Sequence, residues 1–388
     1  MDESSGRPRV LILVYSELAR DARVLRQIRW LRERFDVTSA AFGPSPIDGV
    51  EHVELRDLPP YIGGRLERLR YAISFVLGRF RGLTVRNPRD QSAAAILGER
   101  EWDVIIANDV TALPLASTLR ARRGVLADLH EYSPRQAEES LMFRLTSARN
   151  FRWVQRTYLP RVSRVTTVSQ GIADEYARRF GVRPVVVANA AAYQRKSPTP
   201  VGSPIRIVHS AVPSPARHIE VMIAAVRDTT ANVTLDLYLV DDGGAYLQSL
   251  KALATTTPKV TIHGPVPNSE LIDVLGQHDL GVHLLPAINF NHRWALPNKF
   301  FDYVQARLGI IIGPSPEMSR LVHQHGLGVV SKDFTAQSLT ELLNTLRPEQ
   351  VAQWKAGSDA AARELSGEHQ LETFERVMNE MLTARSAP

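Results

Sequence analysis

Apolar runs and helical stripes alternate along the chain in the manner typical of βα units. Val10–Val14 is a short and continuously apolar run, as expected of a strand that is buried on both faces. A helical stripe follows, which begins after Asp21 and repeats apolar residues at Val24, Ile28 and Leu31. Asp21 is a residue type that caps helix N-termini. The start of the chain therefore predicts a parallel α/β sheet.

The same alternation recurs in two successive series. In the first series, strands are also predicted at 37–42, 103–107, 124–129, 164–168 and 184–188. In the second series, strands are predicted at 205–208, 235–240, 260–263, 280–285, 309–312 and 328–330. Helices are predicted there at 216–227, 245–254, 269–277, 298–307, 317–325 and 336–345, with helical residues again from about 348 to 384. Two series of this kind predict two doubly wound domains.

The domain boundaries follow from composition and length. A chain of 388 residues exceeds the ~250–300 residues at which single cores usually stop growing. We expect an N-terminal Rossmann-like domain at 1–195, a Pro- and Ser-rich linker at 196–204, and a C-terminal Rossmann-like domain at 205–365. A last helix at 366–388 is expected to pack back on the N-terminal domain. The two domains are expected to face a central cleft, with ligands at the carboxyl ends of the strands.

Residues 61–89 have a different character, because apolar residues at helical spacing stand among many arginines. The apolar positions are Leu66, Leu69, Ile73, Leu77 and Phe80, and the arginines include Arg65, Arg68, Arg79 and Arg81. We expect one basic amphipathic helix. It could contact an anionic membrane surface or an acidic ligand. An ordinary surface helix, with arginine stems packed along its edges, is the alternative.

Composition excludes several classes of function. The chain has no cysteine, which excludes disulfides, thiol catalysis and cysteine-ligated zinc, and fits a cytoplasmic protein. The net charge of +6 comes largely from arginine, and no basic motif with interleaved aromatic residues accompanies it, so nucleic acid is not an expected partner. The N-terminus lacks the apolar core of a signal peptide, and no apolar run approaches ~20 residues. We expect a cytoplasmic protein, or one that is peripheral on the inner face of the plasma membrane.

The segment 286–307 carries the clearest chemical signal. It joins the end of an apolar strand to a polar loop and a helix, and Pro297 is expected in the first turn of that helix. A lysine at a helix N-terminus, here Lys299, suits a phosphate group. A carboxylate one turn later, Asp302, could bind the paired hydroxyls of a sugar. The segment therefore predicts a nucleotide-sugar site.

Motifs for other phosphate sites and for metal sites are missing from the sequence. The chain contains no Asp-x-Asp pair, no G-x-G-x-x-G and no P-loop. His323-x-His325 lacks a third ligand nearby, and the residues 241–244 are interpreted as a turn. We therefore expect no metal and no cofactor other than the substrate.

Four stretches in order resemble a known family. They are 21–31, 165–189, 260–282 and 296–306, the last of which reads LPNKFFDYVQA. Over nearly its whole length, the chain resembles bacterial GT-B glycosyltransferases, most closely those of family 4, whose donor signature is P-x-K-x-x-E-Y-x-x-A. The resemblance implies two Rossmann-like domains and metal-independent transfer of a sugar from a nucleotide-diphosphate-sugar donor, in a process such as polysaccharide biosynthesis.

The resemblance also implies roles for individual residues. Lys299 and Arg217 would neutralise the diphosphate, and Asp302 would contact the ribose hydroxyls. The full set expected to bind the donor is Arg217, Val266, Asn298, Lys299, Asp302 and Glu317. His130 and Glu131 are the expected catalytic residues, and Asp21, Arg23 and Asp109 are expected on the acceptor side.

One position departs from the family pattern. Retaining members carry E-x7-E, but Trp294 stands where the first acid is expected and Asp302 replaces the second. The contact of the first acid with the donor sugar would then be either missing or supplied by the 289–294 loop, for example by Asn291 or His292. Retention is favoured over inversion. The donor sugar and the acceptor, whether glycan, lipid-linked or small-molecule, stay open.

Two alternatives use the same architecture. A catalytically inactive subunit would bind a nucleotide sugar without turnover, and the missing first acid is compatible with it. A nucleotide-sugar epimerase would convert the donor without any acceptor.

Overall fold

The computed structural model describes residues 6–61, 64–241 and 243–384. These residues form two compact units. The first comprises the chain up to Val187, the segment Asn289–Asn291 and the chain from Leu371 onward. The second comprises Ala188–Ile288 and His292–Gln370. The segment expected to be a linker is therefore part of the second unit in this division, and Asp242 of the predicted 241–244 turn lies outside the described residues.

The first unit contains a seven-stranded parallel sheet. Its strands are β1 (Arg9–Glu17), β2 (Asp36–Phe42), β3 (Glu51–Leu55), β5 (Val104–Asn108), β7 (Val125–Leu129), β8 (Arg164–Thr167) and β9 (Val185–Val186). A separate two-stranded sheet is formed by β4 (Glu101–Trp102) and β6 (Arg120–Ala121). The order across the large sheet is β3-β2-β1-β5-β7-β8-β9. The chain therefore moves from β1 to one edge and then to the other, which with right-handed crossovers places helices on both faces.

The helices that accompany the first sheet are α1 (Ala22–Leu31), α2 (Arg65–Val76), α3 (Phe80–Val85), α4 (Pro88–Leu97), α5 (Leu113–Ala116), α6 (Leu141–Leu145), α7 (Ser147–Tyr158) and α8 (Gln170–Phe180). Strand residues such as Ile12 and Ile106 are fully buried against Ile28 of α1. Phe374 and Met378, near the end of the chain, belong to the same core.

The second unit repeats the topology with six parallel strands. They are β10 (Ile205–Ala211), β11 (Val233–Leu239), β12 (Val260–His263), β13 (Leu280–His283), β14 (Gly309–Ile312) and β15 (Gly328–Val330), in the order β12-β11-β10-β13-β14-β15. The remaining helices are α9 (Ile219–Asp228), α10 (Ala245–Thr255), α11 (Leu271–Leu275), α12 (Phe290–Arg293), α13 (Asn298–Gln305), α14 (Pro316–His325), α15 (Ala336–Asn344), α16 (Pro348–Ala361) and α17 (Gly367–Thr383). The order again reverses beside the first strand, which is where doubly wound sheets bind ligands.

The structure confirms the expected helix after Asp21, whose carboxylate accepts a hydrogen bond from the Val24 amide at 3.1 Å. The expected single helix over 61–89 is wrong. Gly78 adopts a left-handed backbone with φ of 71°, which ends the run of helix after α2, and Asn87 caps a separate helix, α4. The predicted apolar stripe is split as a result, because Phe80 is buried whereas the apolar residues of α2 are exposed.

The expected place of Pro297 is also wrong. It precedes the helix in an extended conformation, and α13 begins at Asn298. The fixed φ of proline is compatible with this position, but Pro297 is not itself part of the first helical turn. Among the described residues, no helix combines the length and the apolar character needed to cross a bilayer.

Candidate functional site

In the second unit, two cations meet at the carboxyl ends of β10 and β13. Arg217 ends a short 3-10 turn that follows β10, and Lys299 is the second residue of α13. Burial, and next the positive charge of Arg217, lower the pKa of Lys299 to about 8, while the charge of Asp302 acts in the opposite direction. The structure therefore brings together the three residues that the sequence assigned to the diphosphate and the ribose.

Two histidines that sequence reasoning missed lie beside these cations. His209 is in β10 and His283 is the last residue of β13, and their rings are nearly parallel with centroids 5.8 Å apart. The His209 Nδ1 donates a hydrogen bond to the Val282 carbonyl at 2.8 Å. Burial, and next the charge of Lys299, lower the pKa of His209 to about 3 and that of His283 well below its ordinary value. Both rings are therefore neutral near pH 7.

The electrostatics of this site favour an anion. Lys299 and Arg217 are half-buried and interact electrostatically, and their positive charges add to burial, the larger cause, in lowering the pKa of His209 and of His283. Within the described part of the chain, neither nitrogen of His283 has a hydrogen-bond partner. The signal that could have found the two histidines is their position, because each is a polar residue inside an otherwise apolar strand.

The position of α13 depends on one glycine. Gly281 in β13 faces the ring of Tyr303, and a Cβ atom at position 281 would lie 2.4 Å from that ring. The Tyr303 hydroxyl donates to the Val282 carbonyl at 3.1 Å. The helix that carries Lys299 is therefore held directly against the strand that ends in His283.

The other residues expected at the donor lie on loops and helix starts at the same edge of this sheet. Val266 is half-buried in the loop after β12, and Asn298 is the exposed first residue of α13. Glu317 is buried in the first turn of α14, 3.6 Å from Arg320. Among the described residues, no group of three or more His, Asp or Glu side chains could hold a metal ion.

In the first unit, the polar residues gather around Asp128 of β7, which is completely buried. Its carboxylate accepts hydrogen bonds from Arg23 at 2.8 and 2.7 Å, from Gln27 at 2.6 Å and from Thr166 at 2.7 Å. Burial disfavours the charge, but Arg23 and His130 together hold the pKa of Asp128 well below its ordinary value. Sequence reasoning missed Asp128, an acid within an apolar strand.

His130 follows β7 and is oriented by two acceptors. Its Nε2 lies 3.3 Å from Asn108 Oδ1 and 3.4 Å from Asp128 Oδ2. Burial favours the neutral ring, but hydrogen bonding to Asp128 and the charge of Asp128 raise the pKa of His130. A histidine held by a carboxylate can exchange a proton near neutral pH.

Glu131 is the second residue of the predicted catalytic pair. Burial, and next the charge of Asp109, raise its pKa to about 7. Its carboxylate accepts hydrogen bonds from Gln136 at 3.0 Å and from Asn291, within the first unit, at 3.1 Å. A carboxyl group with a pKa near 7 is suited to general acid or base catalysis.

The three residues expected on the acceptor side have different environments. Asp109 has a positive φ of 66°, an uncommon backbone for a non-glycine residue, and burial raises its pKa. Asp21 caps α1 and accepts from the Ser16 hydroxyl at 2.7 Å. Arg23 is buried, and besides Asp128 it donates to the Val187 carbonyl at 3.1 Å. Arg23 is therefore a direct partner of Asp128, whereas the hydrogen bonds of Asp21 are to residues close to it in the chain.

The arginines expected at a membrane or an acidic ligand are on the surface of the first unit. Arg65 and Arg68 are on α2, Arg79 precedes α3, and Arg81 is within α3. All four are exposed.

Comparison with known proteins identifies the class of protein. Residues 21–190 match the model of the glycosyl transferase 4-like domain. This part of the chain is therefore similar to a glycosyltransferase 4-like domain. This match confirms the resemblance drawn from the sequence and the expected enzyme class, a glycosyltransferase. No curated protein matches the chain in sequence.

Solved structures show that the chain has the GT-B fold. Anabaena HepE in complex with UDP has a TM-score of 0.71 and 16% identity, and the match covers 96% of this chain and 100% of HepE. Sucrose-phosphate synthase of Thermosynechococcus elongatus has a TM-score of 0.71 and 12% identity, covering 98% and 100%. WaaG, a glycosyltransferase involved in lipopolysaccharide biosynthesis, has a TM-score of 0.61 and 12% identity, covering 97% and 100%. The α/β fold class predicted from the sequence is therefore confirmed.

Proposed function

We propose that this glycosyltransferase 4-like protein transfers a sugar from a nucleotide-diphosphate-sugar donor to a hydroxyl group of a glycan, lipid-linked or small-molecule acceptor. The observation that carries the proposal is the pair of half-buried cations Lys299 and Arg217, which interact with each other and with Asp302 at the carboxyl ends of β10 and β13. HepE, which shares the fold, has been crystallised with UDP and with UDP-glucose.

The donor is bound by residues of the second unit. Lys299 and Arg217 neutralise the diphosphate, so the developing charge of the leaving group is stabilised by protein cations and no metal ion is needed. The carboxylate of Asp302 accepts hydrogen bonds from the ribose hydroxyls. The amides at the start of α13 add positive potential. Val266, Asn298 and Glu317, at the same edge of the sheet, complete the donor set.

The polar cluster of the first unit supplies the proton-transfer groups. In the reaction, the bond from the anomeric carbon to the phosphate oxygen breaks, and a bond to the acceptor oxygen forms. Glu131 accepts the proton of the acceptor hydroxyl, since its raised pKa makes it an effective base near neutral pH. His130, oriented by Asp128, interacts with the transferred sugar or the leaving group. Asp21, Arg23 and Asp109 are the residues on the acceptor side.

The stereochemical outcome is proposed to be retention. The resemblance to retaining family members supports retention, although Trp294 replaces the first acid of their E-x7-E motif. The anomeric configuration of the product is therefore the quantity to measure. NMR of the product formed from a donor of known anomeric configuration decides it. A product of inverted configuration would overturn this part of the proposal.

The first unit is proposed to contact an anionic membrane surface on the cytoplasmic side. Exposed arginines, including Arg65 and Arg68, stand beside exposed apolar residues on α2. Co-sedimentation with vesicles that contain phosphatidylglycerol tests this at low salt. A protein that stays in the supernatant would contradict membrane contact.

The donor assignment is tested with two lysine variants. A panel of nucleotide sugars is screened by thermal shift, because a bound ligand raises the melting temperature. Lys299→Ala is expected to weaken binding of the selected donor by roughly 10–100-fold, the range typical for loss of a charge-assisted hydrogen bond. Lys332→Ala, at an exposed lysine of the same unit, is the matched control. Equal donor affinity in both variants would contradict the role of Lys299.

Turnover assays separate the proposed activity from its alternatives. Transfer to an acceptor supports the glycosyltransferase. Conversion of the donor to a different nucleotide sugar without acceptor identifies an epimerase. Donor binding without turnover across glycan, lipid-linked and small acceptors identifies a non-catalytic subunit.

A further inference from the structure

The first unit contains a groove formed by α2, α3 and the start of α4, and the residues that line it have no role in the reaction proposed above. It is lined by Tyr61, Arg70, Tyr71, Arg79 and Arg86, among others. We propose that this groove binds the phosphate of a lipid-linked acceptor, which makes a phosphate-bearing lipid the acceptor class of the transfer reaction. The inference rests on the proposed function.

The groove is suited to an anion. Three arginines line it, and the acid among its lining residues, Glu67, is already paired with Arg70 at 2.7 Å. Two phenol groups, Tyr61 and Tyr71, lie together with ring centroids 5.7 Å apart. Guanidinium groups and hydroxyls are the donors that proteins use for phosphate oxygens.

The groove is connected to the carboxyl end of β1. Pro88 and Gln91 of α4 line it, and the neighbouring Arg89 lies over the ring of Tyr15 with its guanidinium carbon 3.9 Å from the ring centre. The Tyr15 hydroxyl donates to Asp90 at 2.5 Å, which fixes the start of α4 against β1. The Nε of Arg89 is buried and has no hydrogen-bond partner among the described residues. The start of α4 therefore both lines the groove and packs on Tyr15 of β1.

The helix beside the groove explains why the ligand is a lipid. α2 buries none of its side chains, and Leu66, Leu69, Ile73 and Val76 are 61%, 56%, 49% and 58% exposed. An exposed apolar patch of this kind marks an interaction surface, and arginine beside it favours an anionic lipid. A soluble phosphate compound needs no apolar patch. A bilayer surface alone needs no groove lined by arginine and tyrosine side chains.

The proposal is tested by binding to three kinds of vesicle. They are made of phosphatidylcholine alone, phosphatidylcholine with phosphatidylglycerol, and phosphatidylcholine with a long-chain isoprenyl phosphate at the same surface charge. The wild type is expected to bind the isoprenyl phosphate vesicles about tenfold more tightly than the phosphatidylglycerol vesicles. The triple variant Arg70→Gln/Arg79→Gln/Arg86→Gln is expected to lose that preference, while Leu66→Ser/Ile73→Ser weakens binding to both charged vesicles.

A charge-matched control is Arg29→Gln/Arg56→Gln/Arg120→Gln, at exposed positions of the same unit outside the groove. It is expected to keep the preference. Equal binding of the wild type to both charged vesicles would overturn the proposal, as would equal loss in the control and the groove variant. Inorganic phosphate that protects the wild type but not the groove variant against thermal unfolding, without any lipid preference, would show a site for free phosphate and overturn the lipid assignment.

Donor binding by the same variants separates this inference from the proposed function. The groove variant is expected to keep the thermal shift caused by the selected nucleotide sugar, which also shows that it is folded. Lipid preference without any donor binding in the wild type would contradict the proposed function and leave the lipid site standing. Donor binding and transfer to a soluble acceptor, without a preference for isoprenyl phosphate vesicles, would support the proposed function and contradict the lipid site.

Discussion

Arg23 of α1 and Asp128 of β7 form a buried two-point ion pair, with Nε 2.8 Å from Oδ2 and Nη2 2.7 Å from Oδ1. The same carboxylate lies 3.4 Å from His130 Nε2. Arg23 thus fixes the acid that orients the predicted catalytic histidine. The arrangement joins α1, the first α-helix of the chain, to the carboxyl end of β7, the fifth strand of the main sheet.

Removal of Arg23 is expected to destabilise the protein strongly. Arg23→Met leaves the Asp128 charge buried without its main partner, which typically costs about 3–5 kcal/mol of unfolding free energy. Arg29→Met, at an exposed arginine of the same helix, is the control and should change stability by less than about 0.5 kcal/mol. Urea unfolding measures both. Similar free energies for the two variants would show that the ion pair contributes little.

The pKa of His130 is expected to fall when Asp128 loses its charge. Asp128→Asn removes the carboxylate that raises the pKa of the histidine, whereas burial, which lowers it, remains. NMR titration of the His130 ring measures the change, with Asp174→Asn, at an exposed acid, as the control. Because the pKa of His130 is higher in the folded than in the unfolded protein, its contribution to stability decreases as the pH rises. His130 stabilises the fold fully below the unfolded pKa of about 6.5, and this contribution is lost as the pH rises through the raised folded value.

The affinity for the donor is expected to fall above about pH 8, the value to which burial lowers the pKa of Lys299. Below this pH the ammonium group is charged and attracts the diphosphate, and above it the group becomes neutral. Lys299→Arg keeps a positive charge at all accessible pH values, so its donor affinity should stay constant across this range. Titration calorimetry at several pH values tests the difference. A parallel decline in both proteins would assign the pH dependence to another group.

Gly281→Ala is expected to impair donor binding from within the sheet. The added methyl group would lie 2.4 Å from the Tyr303 ring, so α13 and Lys299 must shift. Overpacking of this kind typically costs about 1–3 kcal/mol. Gly264→Ala is the matched control, because no atom lies within 4 Å of its Cβ position. Thermal unfolding with and without the nucleotide sugar measures both effects. Unchanged donor affinity in Gly281→Ala would show that α13 tolerates the shift.

The sequence by itself determined the order of the elements and part of the site. Periodicity and capping are local properties, so the βα alternation and the helix after Asp21 could be predicted without any contact between distant residues. The position of Lys299 at a helix start after a buried strand has the same origin. Together with three other stretches in order, the motif around it carried the resemblance to glycosyltransferases, which the comparisons confirm.

Only the tertiary structure decided which polar residues meet. Asp128 pairs with Arg23 from 105 positions away, and His209 stacks on His283 across two strands that are far apart in the chain. Spacing along the sequence does not report such pairs, because they depend on the order of strands in the sheet. The division of 61–89 into separate helices also needed the structure, since a helical stripe fits one helix or several until the backbone of Gly78 is known. The physical reason is the same in each case. Local pattern specifies which face of an element is buried, and packing specifies its neighbours.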